Sequence, residues 1–245
     1  MKSFFFLLGI FLLVSCSTFK KNSKNSKEIN LFLYKDPSGD YLLKREFFER
    51  NNKLQLRQQL LQLDGSSIPL EKSITIANIG FSKKRKSLSI RPQISQFSIW
   101  FEKKKYFSQM RINIKNKSLD LLLVSPEDKW NGKSSEKFIG GSVFCWFSQI
   151  PECLRRAKLL RKDESSQFSF VVVWDSYPYY TEQYQNISAK IFSKAIVKYD
   201  GVFKGSLKYN IQVDNQFIVY HFSESLKFEK MFWISQGISL TKNSN

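Results

Sequence analysis

Three cysteines and one histidine are the only thiols and imidazole in this 245-residue chain. Cys145 and Cys153 stand close together with seven residues between them, and Cys16 ends an apolar run, Phe4 to Val14, that follows Lys2. In an oxidising compartment, the pair Cys145 and Cys153 predicts a disulfide closing the loop 146–152, worth about 2–3 kcal/mol on the chain-entropy model. Two buried thiols or a redox couple are the alternatives. Redox motifs, however, usually separate their cysteines by two residues.

Acid–base and metal chemistry finds less to work with. His221 lies between Tyr220 and Phe222 inside a strand-like run and reads as a packed or surface side chain. One histidine and a paired set of cysteines cannot easily build a His/Cys metal site. No Gly-x-Ser-x-Gly elbow and no phosphate-cradling glycine loop occurs. Ser-x-x-Lys appears at Ser17/Lys20, Ser134/Lys137 and Ser239/Lys242, as expected by chance where Ser and Lys are abundant. Asp163, Glu164, Asp175 and Glu182 are candidate carboxylates for a glycosidase, but no spacing selects a pair. The most distinctive cluster is Trp174-Asp175-Ser176-Tyr177-Pro178-Tyr179-Tyr180, with Tyr184 close behind. Aromatic faces with hydroxyl tips suit a glycan or a lipid headgroup. The candidate ligand residues are therefore Trp174, Tyr177, Tyr179, Tyr180 and Tyr184, and the competing reading has them covering one end of a β core. No catalytic residue and no metal ligand is assigned.

The amino terminus has the layout of an export signal: a positive residue, an apolar run too short for the ~20 residues that span a bilayer, then Leu13-Val14-Ser15-Cys16. This segment resembles the lipobox of bacterial lipoproteins. The resemblance implies cleavage before Cys16, a diacylglyceryl thioether and N-acylation on that cysteine, and no other cofactor. Ser17 implies sorting to the outer membrane, facing the periplasm. Residues 1–15 are then signal peptide and 16–27 a lipidated tether, whose Lys, Asn and Ser residues offer nothing to bury. Residues 28–245 remain as a single domain.

That domain must position any site with strands. Apolar residues alternate with polar ones over 189–199, 203–213, 217–228 and 231–240, with turns expected at Asp200-Gly201 and Asp214-Asn215. Phe203, Leu207, Tyr209, Ile211 and Val213 are expected to share one face. Similar alternation covers 29–34, 41–48, 73–81, 88–91 and the runs through Phe97, Tyr106 and Leu119, while 54–63 suits strand or helix. Residues 125–141 read as a loop, and 152–162 as the one helix. The expectation is a mainly β fold, a large curved antiparallel sheet or open barrel with one short helix and a disulfide-closed loop. Such a sheet is similar to the half-barrel of periplasmic lipoprotein carriers and their outer-membrane receptors, a resemblance of strand pattern, size and compartment.

A formal charge of +18 favours anionic partners. Phospholipid, lipopolysaccharide, a glycan or an envelope protein all fit, whereas an exported, lipidated chain does not meet nucleic acid. Much of that charge is equally explained by the Lys-, Asn- and Ile-rich usage of an AT-rich genome. The basic runs Lys83-Lys84-Arg85-Lys86 and Lys103-Lys104-Lys105 are expected at hairpin tips. The sequence thus points to a non-enzymatic, membrane-anchored domain binding an amphipathic or anionic envelope component. An envelope glycan or lipid hydrolase, or a scaffold subunit of an envelope complex, are its rivals.

Overall fold

A computed structural model describes residues 30–65, 68–82, 87–137 and 143–243. The lipobox, the tether, the run Lys83-Lys84-Arg85-Lys86 and the pair Gly140-Gly141 lie outside the described residues. The first eight strands are β1 Asn30–Lys35, β2 Tyr41–Arg50, β3 Lys53–Gln62, β4 Glu71–Ser82, β5 Ser87–Phe101, β6 Lys104–Asn113, β7 Ser118–Val124 and β8 Gly132–Lys137. After β9 (Phe144–Trp146) comes the helix α1, Ile150–Arg156, and then β10, Gln167–Val173. A one-turn helix, α2 Tyr180–Gln183, precedes β11 Phe192–Phe203, β12 Ser206–Val213, β13 Gln216–Phe222, β14 Phe228–Trp233 and β15 Ile238–Lys242.

All fifteen strands belong to one sheet, in the order β8 to β1, then β15 to β9. β1 to β8 form one meander and β10 to β15 another, and β1 pairs with β15, so the two ends of the described chain meet at the centre of the sheet. Every pairing is antiparallel except that of β9 with β10. β8 and β9 are the two edges, so the sheet is open.

Period-two alternation drives this arrangement, because one face of each strand can be buried while the other stays wet. Leu207, Tyr209, Ile211 and Val213 of β12 are buried and face Ile218, Tyr220 and Phe222 of β13 in the core. The sheet curls far enough for its ends to pack together: Met110, Leu119 and Leu121 of β6 and β7 cluster with Trp146 and Val173 of β9 and β10. The Trp146 indole N–H donates to the Ile76 carbonyl 3.4 Å away.

Several expectations are corrected here. Phe203 does not join the inward row of β12. Asp200-Gly201 forms no turn but lies in a bulge of β11 between Tyr199 and Val202, and the turn falls at Lys204-Gly205. The extra residues leave Phe203 55% exposed and against the His221 ring. The helix starts two residues earlier and stops at Arg156, and 125–141 contains β8, whose six residues are all exposed. The 54–63 run is the strand β3, with Leu54 and Leu56 buried. Cys145 and Cys153 form the disulfide, tying β9 to α1.

Candidate functional site

The inner face of the sheet's centre is where apolar alternation is interrupted by charge. Inward positions of β2 carry Leu43, Arg45 and Phe47, so the strand pattern delivers a guanidinium into the core. Arg45 is 2% exposed. A buried cation requires hydrogen-bond partners, and each nitrogen of the Arg45 guanidinium has at least one. Its Nη1 and Nη2 donate to the two Glu152 oxygens at 3.2 and 3.1 Å, Nη2 also donates to the Ser148 carbonyl at 2.7 Å, and Nε donates to Gln58 at 3.2 Å. The Phe47 and Phe228 rings lie 5.2 and 5.3 Å from its central carbon. Burial works against the charge, but Glu152, Tyr34 and Tyr220 together outweigh it and Arg45 is held above its ordinary value. The fork pins the 147–152 segment and α1 across the sheet.

Between that segment and the sheet lies a cavity of about 400 Å³. Its strand-borne wall includes Leu43, Leu60, Tyr220, Met231 and Leu240, and its roof is Phe147, Pro151, Tyr180 and Tyr184. One end reaches the Asp36-Pro37 turn and Gly237, and the other meets Arg45. Gly237 turns the chain between β14 and β15 with φ of 68°, a left-handed conformation that suits glycine.

The polar focus of the cavity is Glu71, at the start of β4 and 5% exposed. Tyr180 donates its hydroxyl to one carboxylate oxygen at 2.7 Å and Tyr184 to the other at 3.2 Å. Burial pushes Glu71 up to about 7, against the lowering effect of those two hydroxyls, and nearby Asp175 adds to the rise. Asp175 is itself pushed up by burial, to about 6, although the Ser148 N–H donates to it at 3.2 Å. Burial also raises both tyrosines, so they stay neutral donors.

The aromatic segment 174–184 is therefore divided. Tyr180 and Tyr184 line the cavity, while Trp174 stacks behind it on Phe147 at 4.4 Å and donates its indole N–H to Ser193. Tyr179 is fully buried and bonds the Phe107 carbonyl, and Tyr177 packs partly buried on the core. Those three cover the end of the β core. Glu182, Asp163 and Glu164 are exposed and lie apart from the cavity lining. His221 is buried on the opposite face of the sheet, between the Phe203 and Phe232 rings. Among the described residues no group of His, Cys, Asp and Glu could hold a metal ion. Arg45, Gln58, Glu71 and Glu152 are site residues that no motif in the sequence singles out.

The chain matches no protein-family model, no curated protein and no solved structure.

Proposed function

We propose that this chain is a membrane-anchored, periplasm-facing lipoprotein whose sheet binds an amphipathic envelope molecule in the cavity between Arg45 and Glu71. The observation that carries the reading is the lining of that cavity: leucines, aromatics and a methionine along its length, with an acid and two tyrosine hydroxyls gathered at one place. Its volume falls in the usual range for small-molecule sites, about 300–1,000 Å³, and apolar walls with a few converging polar groups are what such sites share. An alkyl chain gains by burial there, and its polar head finds donors and acceptors at Glu71. The anchor half of the proposal rests on Leu13-Val14-Ser15-Cys16.

A hydrolase is the second reading, favoured by one observation: Glu71 at about 7 is suited to act as a general acid. The second raised carboxyl, Asp175, is tied to Ser148 and does not line the cavity, which supports binding over hydrolysis.

Titrating the full chain with dansyl-undecanoic acid tests the proposal. A saturable blue shift that Leu60→Trp weakens at least tenfold is expected. Equal titration of both proteins would remove the cavity from the account. Turnover of a fluorogenic ester or glycoside, abolished by Glu71→Gln, would move the conclusion to hydrolysis.

A further inference from the structure

The two ends of the sheet carry opposite charge. Because the strands form a meander, every second connection falls at the same end, and Asn30, the first described residue, starts β1 at one of them. At that end the β6–β7 turn carries Lys115 and Lys117, and the β11–β12 tip carries Lys204. The segment from α1 into β10 adds Arg155, Lys158 and Arg161, and the β13–β14 loop adds Lys227. All of these are exposed. The acids there are fewer: Asp163, Glu164 and Glu224 in the connections, with Glu49 paired to Arg156 at 3.0 Å and Asp200 paired to Lys208 at 2.6 Å. The opposite end is acidic, with Asp36 and Asp40, Asp64, Glu102, Glu127 and Asp128, and Asp214 in its turns, against Lys103, Lys129 and Lys190.

Exposed apolar groups occur at both ends, with Leu63, Val124, Phe217 and Ile234 at the acidic one, but at the first end they stand beside lysines. Ile114 is 53% exposed beside Lys115, Val202 and Phe203 are 63% and 55% exposed beside Lys204, and Leu31 is 52% exposed at the start of β1. A cavity of about 480 Å³ lies at this end too, walled by Phe32, Phe47 and Phe222, with Arg155, Lys227 and Lys242 in its lining. Basic side chains interleaved with apolar tips are the composition that rests on an anionic bilayer, the apolar groups entering the headgroup layer and the cations meeting phosphates. The chain that precedes Asn30 enters here as well, and between the proposed cleavage point and β1 it carries the lysines 20, 21, 24 and 27.

We infer that this end of the sheet is a docking surface for an anionic phospholipid bilayer, which holds the acidic end and its turns away from the membrane. Lys115, Lys117, Lys204, Ile114 and Phe203 make the contact. The inference extends the anchored reading but does not depend on lipidation of Cys16, since the surface belongs to the folded sheet. Each basic residue near an anionic surface strengthens binding roughly fivefold, an effect that fades within a Debye length of about 8 Å at physiological salt. The acidic end, a strand length away, is beyond that reach.

The test is hydrogen exchange on the full chain with vesicles of phosphatidylcholine alone, or with phosphatidylglycerol at three parts in ten. Phosphatidylglycerol should protect the amides of 114–117 and 202–206 and leave 214–215 and 63–65 unchanged. The triple variant Lys115→Glu, Lys117→Glu, Lys204→Glu should need roughly a hundredfold more phosphatidylglycerol vesicles for half protection. Flotation, read in parallel, reports anchoring separately. A chain that floats with both vesicle types while the tips stay unprotected refutes the docking surface and leaves the anchor standing. Protection of the tips in phosphatidylglycerol without flotation on phosphatidylcholine does the reverse. Equal protection of both ends also overturns the inference.

Discussion

Replacing Glu71 by glutamine should change how stability depends on pH. The Glu71 carboxyl titrates at about 7 in the folded chain against an ordinary 4.5, because burial penalises its charge. An acid raised on folding contributes stability in full below pH 4.5, and that contribution is lost as pH climbs through 7. At 1.36 kcal/mol per unit, the loss over this window is about 3 kcal/mol. Other groups titrate too: Asp175, raised to about 6, adds a slope of the same sign between its ordinary value and 6. Half-buried Asp36 and the exposed Asp163 and Asp200, lowered in the fold, act in the opposite direction at lower pH. Subtracting the Glu71→Gln variant from the parent removes the terms of Asp36, Asp163 and Asp200, and leaves of the Asp175 term only its coupling to Glu71. Urea unfolding from about pH 4.5 to 8, with the disulfide intact, should show the parent losing about 3 kcal/mol relative to the variant as pH rises. Curves parallel within about 1 kcal/mol would refute the claim that Glu71 is buried as a largely neutral acid at the cavity wall.

Two further perturbations probe how the roof is held. Arg45→Met or Glu152→Leu alone leaves a buried charge without its partner and should cost about 3–5 kcal/mol, while the double variant recovers most of that. Urea midpoints at constant slope measure it, and additive single effects would show that the pair is not coupled. Cys145→Ala with Cys153→Ala should lower stability by about 2–3 kcal/mol from the loss of a short closed loop. A loss under about 1 kcal/mol would mean that β9 and α1 hold together without it.

Much of this fold is legible in the alternation of side chains. The rows Leu207, Tyr209, Ile211, Val213 and Met110, Ile112 point to one face because a strand repeats every two residues. Boundaries are hidden where geometry is set by partners: the bulge at Asp200-Gly201 depends on register with β12, and a glycine there reads equally as turn or bulge. Short β9 is invisible because its parallel pairing with β10 comes from a crossover of the chain rather than from a local pattern. The segment 174–184 stands out by its aromatic content, yet only Tyr180 and Tyr184 of its aromatics reach the cavity. Arg45 and Glu71 do leave a trace, since each sits at an inward position of its strand, between or before Leu43, Phe47 and Ser73. A charge at an inward position signals a buried partner, but Glu152 is 107 residues from Arg45 and Tyr180 is 109 from Glu71. No local pattern joins such pairs. The opposite charges of the two ends become visible only once the meander order assigns each turn to an end.

Native mass spectrometry of the full chain, released gently from envelope membranes, tests the central claim most directly. The account predicts a defined amphipathic molecule retained at one copy per chain and missing from Leu60→Trp. A clean unliganded mass, or an adduct that persists when the cavity is filled, would contradict it.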